Sequence, residues 1–446
     1  MANKSPLKSA SAKNSLAEAL TLTHHPSNPL KFSNTQFEHA VTALVAVLRF
    51  DFPADSILSR YFREHRELGA ADRSFVAEAV FGVLRNKRLL DHVTASGKAR
   101  EFLLAWLTRV QGLNARELGP VLRRNDTDMV SAIKAARTDN LSFAVQAELP
   151  DWVVDRLATQ YTEKEILALG KSLSTPAPLD LRVNTLRAKR DDVVATLAAE
   201  GIQASPTPYA PNGLRLEGHP SINRLALFLD GTLEVQDEGS QLLCSLLAPT
   251  RHDLVIDFCA GAGGKTLALG ALMHNRGRLY AFDVSAARLK KMQPRLARSG
   301  LSNVHPQTLA SENDIRVKRL AGKADRVLVD APCSGLGTLR RNPDLKWRQS
   351  PNSVAQLVLK QTAILRAAAG MVKTGGRVVY ATCSLLAEEN EAVIEAFLCA
   401  SPAFKRVNCD SVFEQQNIPL RTGKYLRLMP HQHATDGFFG AILTRV

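Results

Sequence analysis

The second half of the chain alternates short apolar strands with helices, and no other feature of the sequence restricts the fold as much. Buried strands are predicted at 254–256, 278–282, 326–329 and 377–380, and residues 285–299 have helical spacing. Strands that alternate with helices form a parallel sheet covered on both faces, and such sheets bind ligands at the carboxyl ends of their strands. We therefore expect the chemically active residues along one edge of an α/β sheet.

The 446 residues are too many for one hydrophobic core, and the composition changes along the chain. Residues 1–34 are rich in Ser, Asn, Lys and Pro, which predicts a flexible tail. Residues 35–138 have helical spacing throughout and predict an all-helical domain. Residues 139–236 predict a small connecting α+β module with a half-buried strand at 179–184, and residues 237–446 form the α/β domain.

Charge and cysteine content limit the partners and the compartment. Lys and Arg number 57 against 43 Asp and Glu, a net charge of +14 that favours a polyanionic partner. No apolar run approaches the roughly 18–20 residues of a membrane span, and no secretory signal is recognisable, so we expect a cytoplasmic protein without membrane contact. The six cysteines contain no C-x-x-C pair. We therefore expect reduced thiols and no metal site.

A glycine-rich turn at 257–266 follows the first strand of the α/β domain and opens a helix. Cys259 stands where a phosphate-binding P-loop needs glycine, and Thr266 stands where a dinucleotide-binding turn needs its third glycine. The remaining interpretation is a nucleoside cofactor with a carboxylate, such as S-adenosylmethionine, held by backbone amides of the turn. Asp283, which ends the next strand, is placed to bind ribose hydroxyls.

Two cysteines, Cys333 and Cys383, each follow a buried strand at the expected ligand edge. A lone cysteine is usually a small buried apolar residue, but such a pair favours catalysis. A thiolate that adds to carbon 6 of cytosine makes carbon 5 nucleophilic toward a sulfonium methyl, and a carboxyl group at ring nitrogen 3 assists the addition. Asp330 is the candidate acid. The target base must be extruded or single-stranded, and the residues alone do not rank the two cysteines.

The segment 340–348 after Cys333 interleaves cations with one tryptophan. Such a loop suits contacts to a nucleic-acid backbone and stacking on a base. We predict that Lys346 and Arg348 contact the RNA.

These segments resemble the RsmB/Nop (Fmu/Sun) family of RNA cytosine-5 methyltransferases. The resemblance covers about residues 176–446, and its motifs lie at 179–184, 236–240, 261–266, 283, 330–335, 341–344, 382–384, 388–390 and 436–439. It implies a Rossmann-like class I methyltransferase domain with a mostly parallel seven-stranded sheet. The helical region at 72–85 is similar to the NusB-like domain of RsmB-type enzymes, which implies an RNA-binding domain and a ribosomal RNA substrate.

The resemblance also implies roles for single residues. Cys383 would be the nucleophile, Cys333 would assist product release, and Asp330 and Lys265 would complete the catalytic set. Counting back from Asp330 to the position of a further acid in the family reaches Ser311, with Glu312 and Asp314 adjacent. The implied S-adenosylmethionine site is Cys259, Ala260, Gly261, Ala262, Gly263, Gly264, Lys265, Asp283, Ser311 and Asp330.

The resulting hypothesis is a monomeric enzyme that methylates carbon 5 of a cytosine in RNA, with 16S ribosomal RNA or a ribosomal assembly particle as its partner. One alternative is a non-catalytic RNA-binding or assembly factor that retains the fold. The other is a DNA cytosine-5 methyltransferase, in which Cys333 and not Cys383 would be the nucleophile.

Overall fold

The computed structural model describes residues 32–446 apart from residues 125 and 219. The chain divides into two compact units, one that ends at Glu148 and one from Leu149 to Val446. Nearly all of the predicted tail, 1–34, lies outside the described residues, and the first helix begins at Asn34. The division of the chain into a tail and three domains stays a prediction.

The described residues of the first unit form helices and no strand. The helices are α1 (Asn34–Val47), α2 (Ala54–Glu64), α3 (Ala70–Arg85), α4 (Lys87–Val93), α5 (Ala99–Ala105), a π turn (Trp106–Val110), α6 (Ala115–Leu118), a 3₁₀ turn (Gly119–Val121), α7 (Asp126–Ala135) and α8 (Phe143–Gln146). Ser33 begins α1 with a reciprocal cap, because its hydroxyl accepts the N–H of Gln36 while the Gln36 side chain accepts the N–H of Ser33.

The second unit begins with a small antiparallel sheet. Its elements are α9 (Asp151–Ala158), α10 (Glu163–Leu173), β1 (Leu179–Val183), α11 (Arg190–Ala199), β2 (Ala204–Pro206), β3 (Gly213–Leu216), a 3₁₀ turn (Ile222–Arg224), α12 (Ala226–Leu229) and β4 (Leu233–Val235). The strand order is β2-β3-β1-β4. The strand predicted at 179–184 is confirmed as β1, but it is almost fully buried rather than half-buried, because it lies inside this sheet.

The remainder of the second unit is the α/β sheet. Its elements are α13 (Glu238–Leu247), β5 (Leu254–Asp257), α14 (Gly264–Leu272), β6 (Arg278–Asp283), α15 (Ala286–Ser299), β7 (Val304–Thr308), α16 (Ile315–Arg319), β8 (Ala324–Asp330), a 3₁₀ turn (Leu336–Thr338), α17 (Leu345–Arg348), α18 (Pro351–Met371), β9 (Val372–Thr382), α19 (Glu391–Ala400), β10 (Phe404–Val407), α20 (Cys409–Gln415), β11 (Leu426–Leu428), α21 (Pro430–His433) and β12 (Phe438–Arg445).

The predicted Rossmann-like α/β fold is confirmed, with one strand more than expected. Seven strands follow the order β10-β12-β9-β8-β5-β6-β7, and β11 adds an eighth by pairing with β12. Strands β5 to β9 pair in parallel, whereas β12 is antiparallel to β9. From β5 the chain proceeds to β6 and β7 on one side and then crosses to β8 and β9 on the other. This reversal opens a crevice between the carboxyl ends of β5 and β8, where doubly wound sheets bind ligands.

Strand β7 was missed because its sequence does not look like a sheet strand. It contains Pro306 and polar residues, which a central strand excludes. Its position at the sheet edge removes that restriction, since one side of an edge strand has no ladder to complete.

Among the described residues, no helix is long and apolar enough to span a membrane.

Packing in the first unit is tightest where Trp106 lies against Gly82 of α3. The indole is 2% exposed, and a Cβ built on Gly82 would come within 2.4 Å of it. We expect Gly82→Ala to lower the free energy of unfolding of this unit by about 1–3 kcal/mol, because the ring must shift in a filled core. Thermal denaturation followed by circular dichroism measures the change.

The matched control is Gly370→Ala near the end of α18. A Cβ at Gly370 meets nothing within 4 Å, so this variant should be neutral or slightly stabilising. Equal melting temperatures for the two variants would contradict the packing argument.

Candidate functional site

The turn between β5 and α14 adopts a backbone that needs glycine at two positions. Gly261 has φ of 55° and Gly263 has φ of 89°, both in the left-handed region. At Gly263 the space is also closed, since a Cβ would lie 2.5 Å from Cγ of Met292. At Gly261 a Cβ would meet nothing within 4 Å. The turn is therefore packed against α15 on one side and open on the other.

Asp283, at the end of β6, holds this turn through hydrogen bonds of its carboxylate. One carboxylate oxygen accepts the N–H of Gly261 at 2.9 Å, and the other accepts the N–H of Ser285 at 2.7 Å. The side chain is 5% exposed. A carboxylate oxygen has two acceptor positions, so Asp283 can hold the turn and still accept a ligand hydroxyl.

Arg295 of α15 holds the turn from its other end. Its guanidinium donates to the carbonyl of Ala262 at 2.6 Å and to Glu234 at 3.1 Å. Ala260 is buried, and its N–H donates to the carbonyl of Phe282. The turn is thus tied to its neighbours before any ligand binds.

The residues around the turn fit S-adenosylmethionine. Gly261, Ala262 and Gly264 are partly exposed, and α14 begins at Gly264 with N–H groups that have no acceptor within the helix. Such groups suit a ligand carboxylate, and the Asp283 carboxylate suits ribose hydroxyls. Cys259 is partly exposed at the start of the turn. Burial raises the pKa of its thiol well above the ordinary value, so it can line the site without ionising.

Lys265 of α14 and Asp330 at the end of β8 form an ion pair across the crevice. Nζ of Lys265 lies 2.7 Å from a carboxylate oxygen of Asp330, with the Lys265 side chain 12% and the Asp330 side chain 31% exposed. Burial by itself would lower the pKa of Lys265, but the Asp330 charge outweighs it and holds that pKa above its ordinary value. Lys265 therefore stays protonated at neutral pH, and Oδ1 of Asp330 makes no hydrogen bond among the described residues.

The two cysteines predicted to be catalytic lie side by side. Sγ of Cys333 is 3.4 Å from Sγ of Cys383, and both residues are partly exposed. The register of β8 with β9 explains the contact, since Asp330 pairs with Ala381 and each cysteine follows within three residues.

The surroundings of the two thiols differ. The hydrogen bond to Cys383, together with burial, raises the pKa of the Cys333 thiol well above its ordinary value. Cys333 therefore stays protonated at neutral pH. Burial also raises the pKa of Cys244 and Cys409, each to about 12. These two thiols pack in the core and have no role at the site.

Ser311, the predicted contact to the adenine, lies in the loop after β7, the strand beside β6. Its hydroxyl accepts the N–H of Asn313. Asp314 caps α16, because its carboxylate accepts the N–H groups of Ala310 and Arg316. The Asp314 carboxylate is thus used for hydrogen bonds to the backbone. The contact of Ser311 with the cofactor stays a prediction.

The cations of the basic segment 340–348 are buried or half-buried. Lys346 is 4% exposed, and Arg348 pairs with Asp344 at 3.3 Å. Arg341 bridges Asp237 and Asp436 at 3.0 and 2.6 Å. Lys346 is thus withdrawn from solvent and Arg348 is paired with an acid, and their contact with RNA stays a prediction. A row of cations in sequence does not show which of them pair with acids from distant segments.

The described residues include no group of three or more His, Cys, Asp and Glu side chains that could hold a metal ion. The residues predicted to be catalytic are an ion pair, Lys265 and Asp330, and the thiols of Cys333 and Cys383. Phe438 was not predicted, although its ring centroid lies 5.7 Å from Nζ of Lys265. In the sequence it belongs to the motif at 436–439, to which no role at the site is assigned.

Comparison with known proteins shows two matching families along the chain. The model described as 16S rRNA methyltransferase RsmB/F matches residues 244–444. The model described as a Methyltr_RsmF/B-like, ferredoxin-like domain matches residues 149–223. The curated protein "Probable ribosomal RNA small subunit methyltransferase B" of Synechocystis sp. is 32% identical over 435 residues, which cover 89% of this chain and 96% of that protein.

Solved structures agree with the fold. The crystal structure of PH0851 superimposes with a TM-score of 0.78 at 24% identity and covers 94% of this chain and 100% of that one. A methyltransferase homolog protein from Pyrococcus horikoshii superimposes with a TM-score of 0.56 at 29% identity and covers 67% of this chain and 100% of that one.

Removing the Asp283 carboxylate tests the cofactor site. We expect Asp283→Ala to raise the dissociation constant of S-adenosylmethionine by about tenfold or more, because the turn loses its anchor and the ribose loses a charged acceptor. Isothermal titration calorimetry measures it. Asp410→Ala is the matched control, since that carboxylate also accepts two backbone N–H groups, from Thr422 and Gly423. An unchanged constant in Asp283→Ala would remove this residue from the site.

Asp257 makes the stability of the cofactor-free protein depend on pH. Burial raises the pKa of this carboxyl from 3.8 to about 7. Oδ2 accepts the Thr266 hydroxyl, and the buried Oδ1 has no hydrogen-bond partner among the described residues. Between pH 4 and 7 the folded state therefore binds the proton that the unfolded state has released, and stability falls as pH rises.

We expect Asp257→Asn to remove this loss, and to be more stable than the wild type above pH 7 by about 1–4 kcal/mol. The two proteins should converge near pH 4. Melting temperatures measured by calorimetry across this range provide the comparison. A wild-type slope that persists in the variant would show that another group is responsible.

Proposed function

The chain belongs to the RsmB/F family of 16S rRNA methyltransferases, and from this we propose that it transfers a methyl group to carbon 5 of a cytosine in small-subunit ribosomal RNA. The predicted cofactor, S-adenosylmethionine, is confirmed by the family. The observation that carries the cytosine-5 proposal is the 3.4 Å between the sulfurs of Cys333 and Cys383 at the edge that also holds the Lys265–Asp330 pair.

The cofactor supplies the methyl group as a sulfonium electrophile. Asp283 and the N–H groups at the start of α14 would hold its two polar ends. Asp330 lies between that turn and the cysteines, because it follows β8 and β8 pairs with both β5 and β9. It is therefore placed to contact the cytosine ring while Lys265 orients it.

Cys383 is the nucleophile in this proposal. Its sulfur bonds to carbon 6 of cytosine, and the ring electron pair shifts to carbon 5. Carbon 5 then takes the methyl group, the bond between the sulfonium sulfur and the methyl carbon breaks, and a thioether is left. During the addition the Asp330 carboxyl takes up the proton that the Cys383 thiol releases and donates it to ring nitrogen 3, and this proton returns when the sulfur leaves. The proton at carbon 5 then leaves to a base, the electron pair re-forms the ring double bond, and the bond between carbon 6 and sulfur breaks.

The raised pKa of the Cys333 thiol fits a role in product release. A thiol whose pKa is raised is a poor nucleophile at neutral pH, but it can donate a proton to a departing thiolate or exchange one with it. Cys333 lies within contact distance of Cys383 and is thus placed to assist release of the product.

A covalent trap tests the proposal. Cys333→Ala should accumulate an adduct between Cys383 and RNA, because addition and methyl transfer proceed while release is slowed. The purified variant is incubated with S-adenosylmethionine and small ribosomal subunits, or 16S rRNA alone, from a strain that lacks this protein. The adduct is scored as a shifted band on a denaturing gel, and wild-type product is checked as 5-methylcytidine by nucleoside mass spectrometry.

Cys333→Ala/Cys383→Ala is the matched control and should form no adduct. If Cys383→Ala forms the adduct and Cys333→Ala does not, the roles are reversed, as expected of a DNA-type enzyme. Absence of both adduct and 5-methylcytidine would favour a non-catalytic RNA-binding factor.

A further inference from the structure

A buried carboxylate connects the two cysteine-bearing loops. The Glu389 side chain is fully buried. Its Oε1 accepts the N–H of Ser334 at 2.8 Å, and its Oε2 accepts the Ser334 hydroxyl at 2.5 Å. The hydroxyl of Ser384 also donates to Oε2. Ser334 follows Cys333 and Ser384 follows Cys383, so one carboxyl group binds the residue next to each thiol.

Helix α18 supports the same carboxylate. Nε2 of Gln361 donates to Oε1 of Glu389 at 2.9 Å and to the carbonyl of Pro332 at 3.0 Å. Gln361 is fully buried. Both the side chain of Glu389 and the residue before Cys333 are thereby tied to a helix of 21 residues, which gives the loops a rigid support.

The free energy that is needed to bury the Glu389 side chain indicates that this residue does more than fill space. In the part of the chain that the structure describes, the ion pairs do not include Glu389. A buried carboxylate without a cation is expensive, and only its hydrogen bonds offset that cost. An apolar residue would fill the space at lower cost, but it could not accept bonds from two loops and a helix together.

We infer that Glu389 is a positioning residue for methyl transfer, which holds the loops after β8 and β9 so that the thiols of Cys333 and Cys383 remain in contact. The roles of those thiols rest on the proposed function, whereas their distance does not. Glu389 itself touches no reacting atom. Its neighbour Asn390 acts in the same way on one loop, since it accepts the Thr382 hydroxyl at 2.5 Å and donates to the carbonyl of Ser384 at 3.0 Å.

A carboxylate and its amide should position the two loops differently at residue 389. In Glu389→Gln an NH₂ group replaces one oxygen, so the side chain keeps its size but has a single acceptor. If the amide oxygen stays with the hydroxyls of Ser334 and Ser384, the new NH₂ group faces the N–H of Ser334 and Nε2 of Gln361, which then have no acceptor there; in the reverse orientation the NH₂ group faces the two hydroxyls, which lose theirs. One loop is released, and the distance between the thiols is no longer fixed.

The experiment measures thiol proximity directly. Dibromobimane becomes fluorescent when it has alkylated two thiols, so its reaction with the folded full-length protein reports Cys333–Cys383 bridging, with Cys333→Ala as the blank. We expect Glu389→Gln to slow bridging by about tenfold or more, because a displacement of 1 Å costs reactions about a hundredfold. The kcat for methylation should fall by a similar factor, with the KM for RNA and the cofactor dissociation constant unchanged.

Glu101→Gln is the matched control. Glu101 is also buried and accepts the N–H groups of Ala95 and Ser96 and the hydroxyl of Ser96, but it belongs to the first unit. It should bridge at the wild-type rate. Wild-type bridging in Glu389→Gln would overturn the inference, whatever its activity. Failure of the proposed function would instead appear as normal bridging kinetics in wild type without any methylation.

Serine variants keep the test decisive if Glu389→Gln does not fold. Ser384→Ala and Ser334→Ala each remove one hydroxyl donor and leave the carboxylate in place. Slower bridging in Ser384→Ala, restored by Ser384→Thr, supports the inference, because threonine returns the hydroxyl. Wild-type bridging in both alanine variants would overturn it.

Discussion

The parallel pairing of β5, β8 and β9 is the constraint on which the site depends. Asp257 pairs with Leu328, and Asp330 pairs with Ala381, so the three strands end at one edge within a few residues of one another. Lys265 and Asp330 are 65 residues apart in sequence, and the two cysteines are 50 apart, yet each pair is in contact. No local interaction could bring these groups together. The hydrogen-bond register of the sheet does so.

Buried carboxylates then fix the loops that leave this edge. Asp283 holds the glycine turn, and Glu389 holds both cysteine loops. Each accepts several N–H or O–H groups, which offsets the loss of hydration on burial. Loops held in this way keep their geometry before a substrate arrives, and groups that are already in place lose little entropy when the reaction begins.

Much of the α/β domain was predictable because its signals are local. The strands β5, β6, β8 and β9 are recognisable as apolar runs. The turn at 257–266 is recognisable by its glycines, which its backbone angles require. Local patterns did not predict all strands or the burial of charged side chains. The edge strand β7 is polar, the short β3 was not recognised, and Lys346 is buried in a segment that looks exposed. Edge position and burial depend on neighbours that are distant in sequence.

The sequence by itself determined the alternation of strands and helices, the turn that can approach a cofactor, and the set of acids and thiols that follow the strands. These properties depend on residue type and spacing within about one strand and one helix. Only the tertiary structure decided that the thiols of Cys333 and Cys383 lie in contact, that Arg341 pairs with two distant acids, and that Glu389 connects the two cysteine loops. Each of these depends on contacts between segments 50 or more residues apart, such as the 55 between Ser334 and Glu389, and no local pattern encodes them.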